Sequence, residues 1–435
     1  VPTIAGESLL RLAGSAFVVL AAEPSFVLVD TAVVGHLGAV PLAALGIGGT
    51  LLSLLAIVGA FLDYGTTGRA ARWFGAGDRG RAVDEGVAAS LLALVLGVTA
   101  VVAGELLAAP LIGLLAGGHG AVGRAALGWF RIALIGLPGM LLVLAGNGWM
   151  RGVQETRQPV RIVLAANGLS AAASPVLVYG LGIGLDGSAI ANLAAQLIGG
   201  AWFLRNLHAE RRPWRPTRAV LAGQVRAGRD LLVRSIGFQV SLLTAAGVAA
   251  RMGTAVLAAH QIGVQCWNFS ALLLDSFAIA AQSLVGAALG AHDAAGARRV
   301  AWRVARFGLY AGLGLGALLG AGFAVLPAAF TSSTAVRHQV HLLWPLFCAV
   351  QPVAGVVFAL DGVLIGAGDV GFMRSITLLA LVGVYAPIAL AALHWHWGIV
   401  GIWVGLTAAV LVRLGGMVWR TAGERWAVLG TAPAS

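Results

Sequence analysis

The sequence predicts an all-α polytopic membrane protein: twelve transmembrane helices in two six-helix bundles related by a pseudo-two-fold axis along the membrane normal. Three observations lead there. Of 435 residues, 59% are hydrophobic and only 10% are charged, against roughly 25% charged in soluble domains. Apolar stretches of about 20 residues, long enough to cross a bilayer as helices, recur along the whole chain. The chain also repeats itself halfway. Spanning β-barrels would show alternating ten-residue segments, a pattern not seen here. Helices remain as the way to satisfy every backbone polar group inside hydrocarbon.

Spans are expected near residues 8–35, 41–66, 86–116, 125–149, 159–182 and 187–206, and again near 228–250, 254–288, 303–328, 338–366, 371–393 and 397–420. Several exceed the minimum length, which implies tilt or extension beyond the hydrocarbon. The first contains charged residues and is long, so it reads as a retained helix rather than a cleavable signal.

The net charge is +11 and the isoelectric point about 11.2. On a soluble domain this would suggest nucleic acid; here the arginines fall in short connections, and no nucleic-acid partner is expected. Arg69, Arg72, Arg79 and Arg81 follow the second span; Arg151, Arg157 and Arg161 follow the fourth. Arg205, Arg211, Arg212, Arg215, Arg218, Arg226 and Arg229 follow the sixth, and Arg298, Arg299, Arg303 and Arg306 follow the eighth. Arg374 comes after the tenth and Arg420 and Arg425 after the last, whereas the odd connections hold only Arg124, Arg251 and Arg337. The positive-inside rule puts even connections and both termini in the cytoplasm. The expected organisation is a first bundle over 1–206, a cytoplasmic linker over 207–227 with Pro213 and Pro216, a second bundle over 228–420 and a cytoplasmic tail over 421–435. Cys266 and Cys348 lie in apolar segments, where packing is the natural role.

The repeat is read residue by residue. Gly38, Leu42-Ala43-Ala44, Ile47 and Gly48 return as Gly253, Leu257-Ala258-Ala259, Ile262 and Gly263. Gly75-Ala76-Gly77-Asp78 returns as Gly290-Ala291-His292-Asp293, at the same offset of 215. Gly148, Gly152 and Glu155 match Gly362, Gly366 and Asp369, and Gly187 matches Gly401, at an offset of 214. An offset spanning six helices keeps both halves in one orientation, the parallel-repeat architecture of transporters that bind substrate between their halves.

Specific motifs then resemble one family. Val29-Asp30-Thr31-Ala32-Val33-Val34-Gly35-His36-Leu37-Gly38 with Leu42-Ala43-Ala44-Leu45-Gly46 resembles the first-helix signature of the multidrug and toxic compound extrusion (MATE) family. Gly65-Thr66-Thr67-Gly68 with Phe74-Gly75-Ala76-Gly77-Asp78 resembles its second-helix exit, and Arg151-Gly152-Val153-Gln154-Glu155-Thr156-Arg157-Gln158-Pro159 its fourth-to-fifth loop. Ala22-Glu23-Pro24, Asp275 before Ala280-Ala281-Gln282-Ser283-Leu284-Val285-Gly286, and Asp361-Gly362-Val363-Leu364-Ile365-Gly366-Ala367-Gly368-Asp369 are similar to the DinF-like branch. The resemblance implies two bundles and efflux driven by an ion gradient. It also places Ser170, Ser174 and Asn192 at first-half cavity positions. Archaeal members of the branch carry an aspartate where this chain has Ser174 and a proline where it has Ser15.

Ionisable residues within spans are costly and mark function by default. Asp30, with no basic neighbour in sequence, suits proton coupling and contact with a cationic substrate; the alternative is a structural acid held by Ser or Asn. Glu23, seven residues earlier on the same helix face beside Pro24, is either a proton relay or a partner within a kink. Asn167, Ser170, Ser174 and Asn192 line the fifth and sixth spans. In the second half Gln261, Asn268, Asp275 and Gln282 recur every seven residues, with Gln265 close to that line, as a polar stripe facing the bundle or a cavity. Gln261, Gln265 and Asn268 are therefore candidate cavity residues. Asp275, Gln282 and Asp361 are a candidate second ion site or interhelical glue. Asp63, beside Arg69 and Arg72, reads as a structural ion pair, and Trp149, Trp267, Trp395 and Trp397 as interfacial anchors. His394 and His396 are weak evidence for a metal, and no metal site is expected.

No phosphate-binding loop and no His-Glu-x-x-His motif occurs in the sequence. The chain is expected to be a non-enzymatic, proton-coupled antiporter in the cytoplasmic membrane that exports amphipathic, often cationic, drugs or metabolites. It is expected to act as a monomer and to use no cofactor beyond H+ or Na+ as the coupling ion. Sodium coupling through Asp275, Asp361, Gln282 and Asn268 is the near rival. A lipid-linked saccharide flippase would require a strongly basic cavity, and the spans read as nearly free of arginine. An intramembrane enzyme would need a nucleophile–base set that His260 has no partner to build.

Overall fold

Glycine and aspartate at the connections decide where the helices start. In the computed structural model, which describes residues 6–118 and 120–431, all regular structure among those residues is helical. The two ends of the chain, expected on the cytoplasmic side, include residues 1–5 and 432–435, which lie outside the described residues. Helix α1 spans Gly6–Gly35, α2 Ala39–Gly75 and α3 Arg79–Leu115. The fourth span is split into α4, Ala121–Leu134, and α5, Leu137–Gly152, which meet at 48°. Pro138 in the first turn of α5 has no N–H for the preceding turn, so the break falls there. Helix α6, Arg157–Pro175, runs into a wide turn of i→i+5 type over Val176–Gly180, followed by α7, Leu185–Ala209.

The second half begins with α8, Arg218–Met252, then α9, Thr254–Gly290, and α10, Ala294–Ala321. A short α11, Leu326–Phe330, precedes α12, Thr334–Gly366. The eleventh span is α13, Val370–Leu378, a second wide turn over Leu379–Tyr385, and α14, Ala386–His394; α15 covers Gly398–Ala422. Among the described residues eleven helices are long and apolar enough to cross a membrane, and the bent α4–α5 pair, taken as one span, makes twelve. This is the predicted count. The helices overrun the expected spans where arginine heads extend them: α2 continues past residue 66 to Gly75.

The chain packs as two units. One is Val18–Gly228; the other runs from Arg229 onward together with the start of the chain up to Phe17. Residues 218–227, the latter part of the 207–227 stretch expected to be linker, are helical and pack within the first unit, where Gln224 donates to Glu85 Oε2 at 2.9 Å. The sequence beyond α15 also packs: Trp426 is fully buried in a core with Leu284, Leu289 and Met417. A connection counts as helix or core once its apolar side has a neighbour, and that neighbour is remote in sequence.

The duplication is visible in the backbone. Gly38 and Gly253 hold φ of 118° and 128° and precede α2 and α9, each of 37 residues. Asp78 accepts from the Arg81 N–H at 2.9 Å, and Asp293 from the Gly296 N–H at 2.6 Å, each capping the next helix. A Cβ on Gly148 would meet the carbonyls of Leu62 and Asp63, and one on Gly362 that of Ala278. Ala278 is the repeat equivalent of Asp63, so both units use glycine for the same close helix crossing.

Candidate functional site

Asp30 lies five residues before the end of α1 and is 3% exposed. Two hydroxyls from remote helices donate to it within the first unit: Ser174 to Oδ1 and Ser188 to Oδ2, each at 2.7 Å. Trp129 Nε1 donates to Ser188 Oγ at 3.2 Å and so orients that hydroxyl. Ser174 sits beside Pro175, just before the wide turn of α6. A turn of this type widens the helix and often accompanies functional sites. The Tyr179 hydroxyl from that turn donates to the Val33 carbonyl of α1. Among the described residues no arginine is bonded to Asp30, and its partners are neutral hydroxyls. A carboxylate held only by hydroxyls can be satisfied in either protonation state, because each hydroxyl both donates and accepts.

The other first-half candidates divide. Ser170 is buried, with no partner for its hydroxyl among the described residues. Asn167 is half-buried and donates to its own helix at Val163 O, 3.0 Å, and Asn192 is half-buried. Glu23 is exposed. Ser188 and Trp129 escaped the sequence reading. A usable signal existed: Ser188 lies four residues before Asn192 on α7, so the two share a helix face.

In the second unit Gln261, Gln265 and Asn268 are exposed, Asp275 is half-buried and Gln282 is buried. The seven-residue stripe thus runs from a buried end of α9 to an exposed one. Both amide atoms of Gln282 lack a partner among the described residues. Asp361 departs from the expected ion site with Asp275 and Gln282. Arg234 Nη2 meets its Oδ2 at 2.6 Å, and Arg413 Nη2 meets Oδ1 at 2.9 Å and Oδ2 at 2.7 Å. Two guanidiniums on one carboxylate leave a net positive charge, which repels a coupling cation. The expectation that the spans hold almost no arginine is corrected by the same pair, since Arg234 lies within α8 and Arg413 within α15. An arginine inside a 25-residue apolar helix was itself the missed signal.

Two further readings change partner. Asp63 is in a buried ion pair, with Arg151 of α5 at 2.6 Å, whereas Arg69 pairs with Glu85 at 2.7 Å. Residues that face each other across a helix crossing win over sequence neighbours. Trp149 is buried against Gly86 instead of anchoring at an interface. Trp395 and Trp397 are exposed and stack at 5.6 Å, while Trp267 is half-buried.

The MatE family model matches the chain twice, over residues 16–176 and 231–411, one match in each half. The chain is 30% identical over 451 residues to Protein DETOXIFICATION 44, chloroplastic, of Arabidopsis thaliana, covering 98% of this chain and 85% of that protein. It is 33% identical over 411 residues to DNA damage-inducible protein F of Escherichia coli (strain K12), covering 90% and 86%. Its fold matches a solved MOP superfamily transporter from Pyrococcus furiosus Vc1 (DSM3638) with a TM-score of 0.86 at 20% identity, over 95% of each chain. Twelve apolar helices in a duplicated fold, the matched family model and relatives of this coverage agree: the chain is a multi-pass membrane transporter that belongs to the multidrug and toxic compound extrusion (MATE) family, on its DinF-like branch.

Proposed function

We propose that the protein is a proton-coupled antiporter that exports amphipathic, often cationic, small molecules by alternating access, with Asp30 as the coupling carboxylate. The observation that carries this reading is the bonding of Asp30: buried, inside a membrane-spanning helix, and held by Ser174 and Ser188 with no guanidinium among its described partners. Trp129 engages Ser188 Oγ, so the Ser188 proton points at Asp30. Ser174 is the freer partner. On protonation of Oδ1 it accepts the new O–H and turns its own proton to the carbonyl one helical turn back, a standard serine geometry. Protonation from outside favours release of a cationic substrate, and deprotonation toward the cytoplasm resets the site. Coupling works because proton and substrate have different affinities for the two conformations. Glu23, two helical turns before Asp30 or about 10 Å along the axis, is exposed and serves as a relay. In this reading the protein is a monomer in the cytoplasmic membrane with both termini cytoplasmic.

The test is transport of ethidium in proteoliposomes under an imposed pH gradient or an imposed sodium gradient, with Asp30→Asn alongside. Movement driven by the pH gradient and lost in the variant is the expected result. Movement driven only by sodium, or undiminished in Asp30→Asn, overturns the assignment.

A further inference from the structure

The second unit holds a charge cluster beside a small cavity that coupling through Asp30 does not use. Arg234 and Arg413 share the single carboxylate of Asp361, so the cluster carries a net +1. Arg413 is 6% exposed, and its Nε has no partner among the described residues; neither has Arg234 Nε. Both guanidiniums lie over the Phe238 ring, at 5.0 Å for Arg413 and 5.4 Å for Arg234. Arg413 also lines a cavity of about 110 Å³ together with Phe238, Trp267, Leu381, Trp403 and Val410. A closed cavity of about 150 Å³ accommodates benzene; this one is smaller but partly open, so it holds a short chain outright and a single ring where that ring extends into the opening. A buried net charge is costly unless it is paired. Here the unpaired share is positive and stands at the wall of an aromatic pocket, which selects the sign of its occupant.

We propose that this cavity binds a small amphipathic organic monoanion, an aromatic or short-chain carboxylate or sulfonate. Its apolar body lies against Trp267 and Trp403, and its oxyanion meets the Arg413 guanidinium, whose planar fork matches a carboxylate. Asp361 holds Arg413 in place and limits the attraction to one net charge. The source of the anion is either a soluble organic acid or an anionic lipid headgroup, and both share this chemistry.

The test uses the full chain in nanodiscs of neutral phosphatidylcholine, with 4-fluorobenzoate as probe and fluorine NMR line broadening as readout. The expected result is broadening that benzoate reverses and that benzylamine and toluene do not. Arg413→Gln weakens binding at least about tenfold, while Asp361→Asn, which raises the local charge from +1 to +2, strengthens it several-fold. Arg413→Gln alone is ambiguous if it unfolds the half. Ala409→Leu therefore fills the cavity without touching the charges, and it abolishes broadening while the protein stays monodisperse by gel filtration. Reversal by phosphatidylglycerol doped into the discs supports the site and names a lipid source; insensitivity to it supports a soluble acid. Absence of broadening, equal reversal by benzylamine, reversal by chloride alone, or full binding in Ala409→Leu each overturns the proposal.

Discussion

The two halves of the chain perform an experiment on a buried ion pair. In the first half Asp63 of α2 and Arg151 of α5 meet at 2.6 Å, with side chains 9% and 6% exposed. At the repeat-equivalent positions the second half has Ala278 and Ile365, both buried in the same kind of crossing. Removing one partner of a buried pair takes that partner's compensation from the other charge, which costs about 3–5 kcal/mol. Arg151→Ile and Asp63→Ala are each expected to destabilise the first half by that amount. The double variant copies the second half's own solution. Replacing a buried pair by packed apolar groups is near neutral or stabilising, so its stability should fall within about 2 kcal/mol of the parent. The singles then sum to at least about 6 kcal/mol and the coupling energy is at least about 4 kcal/mol, inside the range of about 1.5–7 kcal/mol for close charge pairs. The assay is a double-mutant cycle from unfolding of purified protein in mixed micelles titrated with dodecyl sulfate. Additive losses, with the double variant as unstable as the sum of the singles, would show that the pair is not what holds α2 to α5.

Three more outcomes are expected. Gly148→Ala places a Cβ 2.5 Å from the Asp63 carbonyl, where rigid backbone cannot yield, and should cost about 1–3 kcal/mol by the same unfolding assay. Ser188→Ala removes one donor to Asp30, a loss of about 1.5–3 kcal/mol for a bond to a charged acceptor, so pH-driven ethidium efflux should fall about tenfold or more; Ser188→Thr, which keeps the hydroxyl, should retain most of it. Asp78→Ala and Asp293→Ala each remove a helix cap, with an expected cost of about 0.5–2 kcal/mol apiece, and amide exchange at the starts of α3 and α10 should rise without a change in substrate binding.

The duplication also shows how a shared scaffold diverges in chemistry. Asn147 of α5 and Asp361 of α12 occupy equivalent places, yet Asp361 holds two arginines while Asn147 Oδ1 is buried without a partner among the described residues. The glycine crossings and the aspartate caps are kept in both halves. The first half carries a carboxylate among hydroxyls, and the second an arginine-rich cluster beside an aromatic cavity.

Sequence alone determined the class of the protein, the number of spans and the position of the repeat. Apolar length, charge depletion and a recurring glycine–aspartate pattern are properties of consecutive residues, and each acts through its local helix. Asp30 was legible for the same reason, since a carboxylate in an apolar helix stands out without knowledge of its neighbours. Its partners were legible only in part: Ser174 stands out as a polar residue of the fifth span, but Ser188 and Trp129 join it from other helices. The partners of Asp63 and Asp361 were not legible at all. Which side chains meet depends on the rotation and closeness of helices that cross at Gly148 and Gly362. A rotation of one residue, about 100°, would exchange Arg151 for a neighbour. That rotation is decided by packing over the whole unit, so the tertiary structure alone decided that Asp30 faces hydroxyls and Asp361 faces arginines.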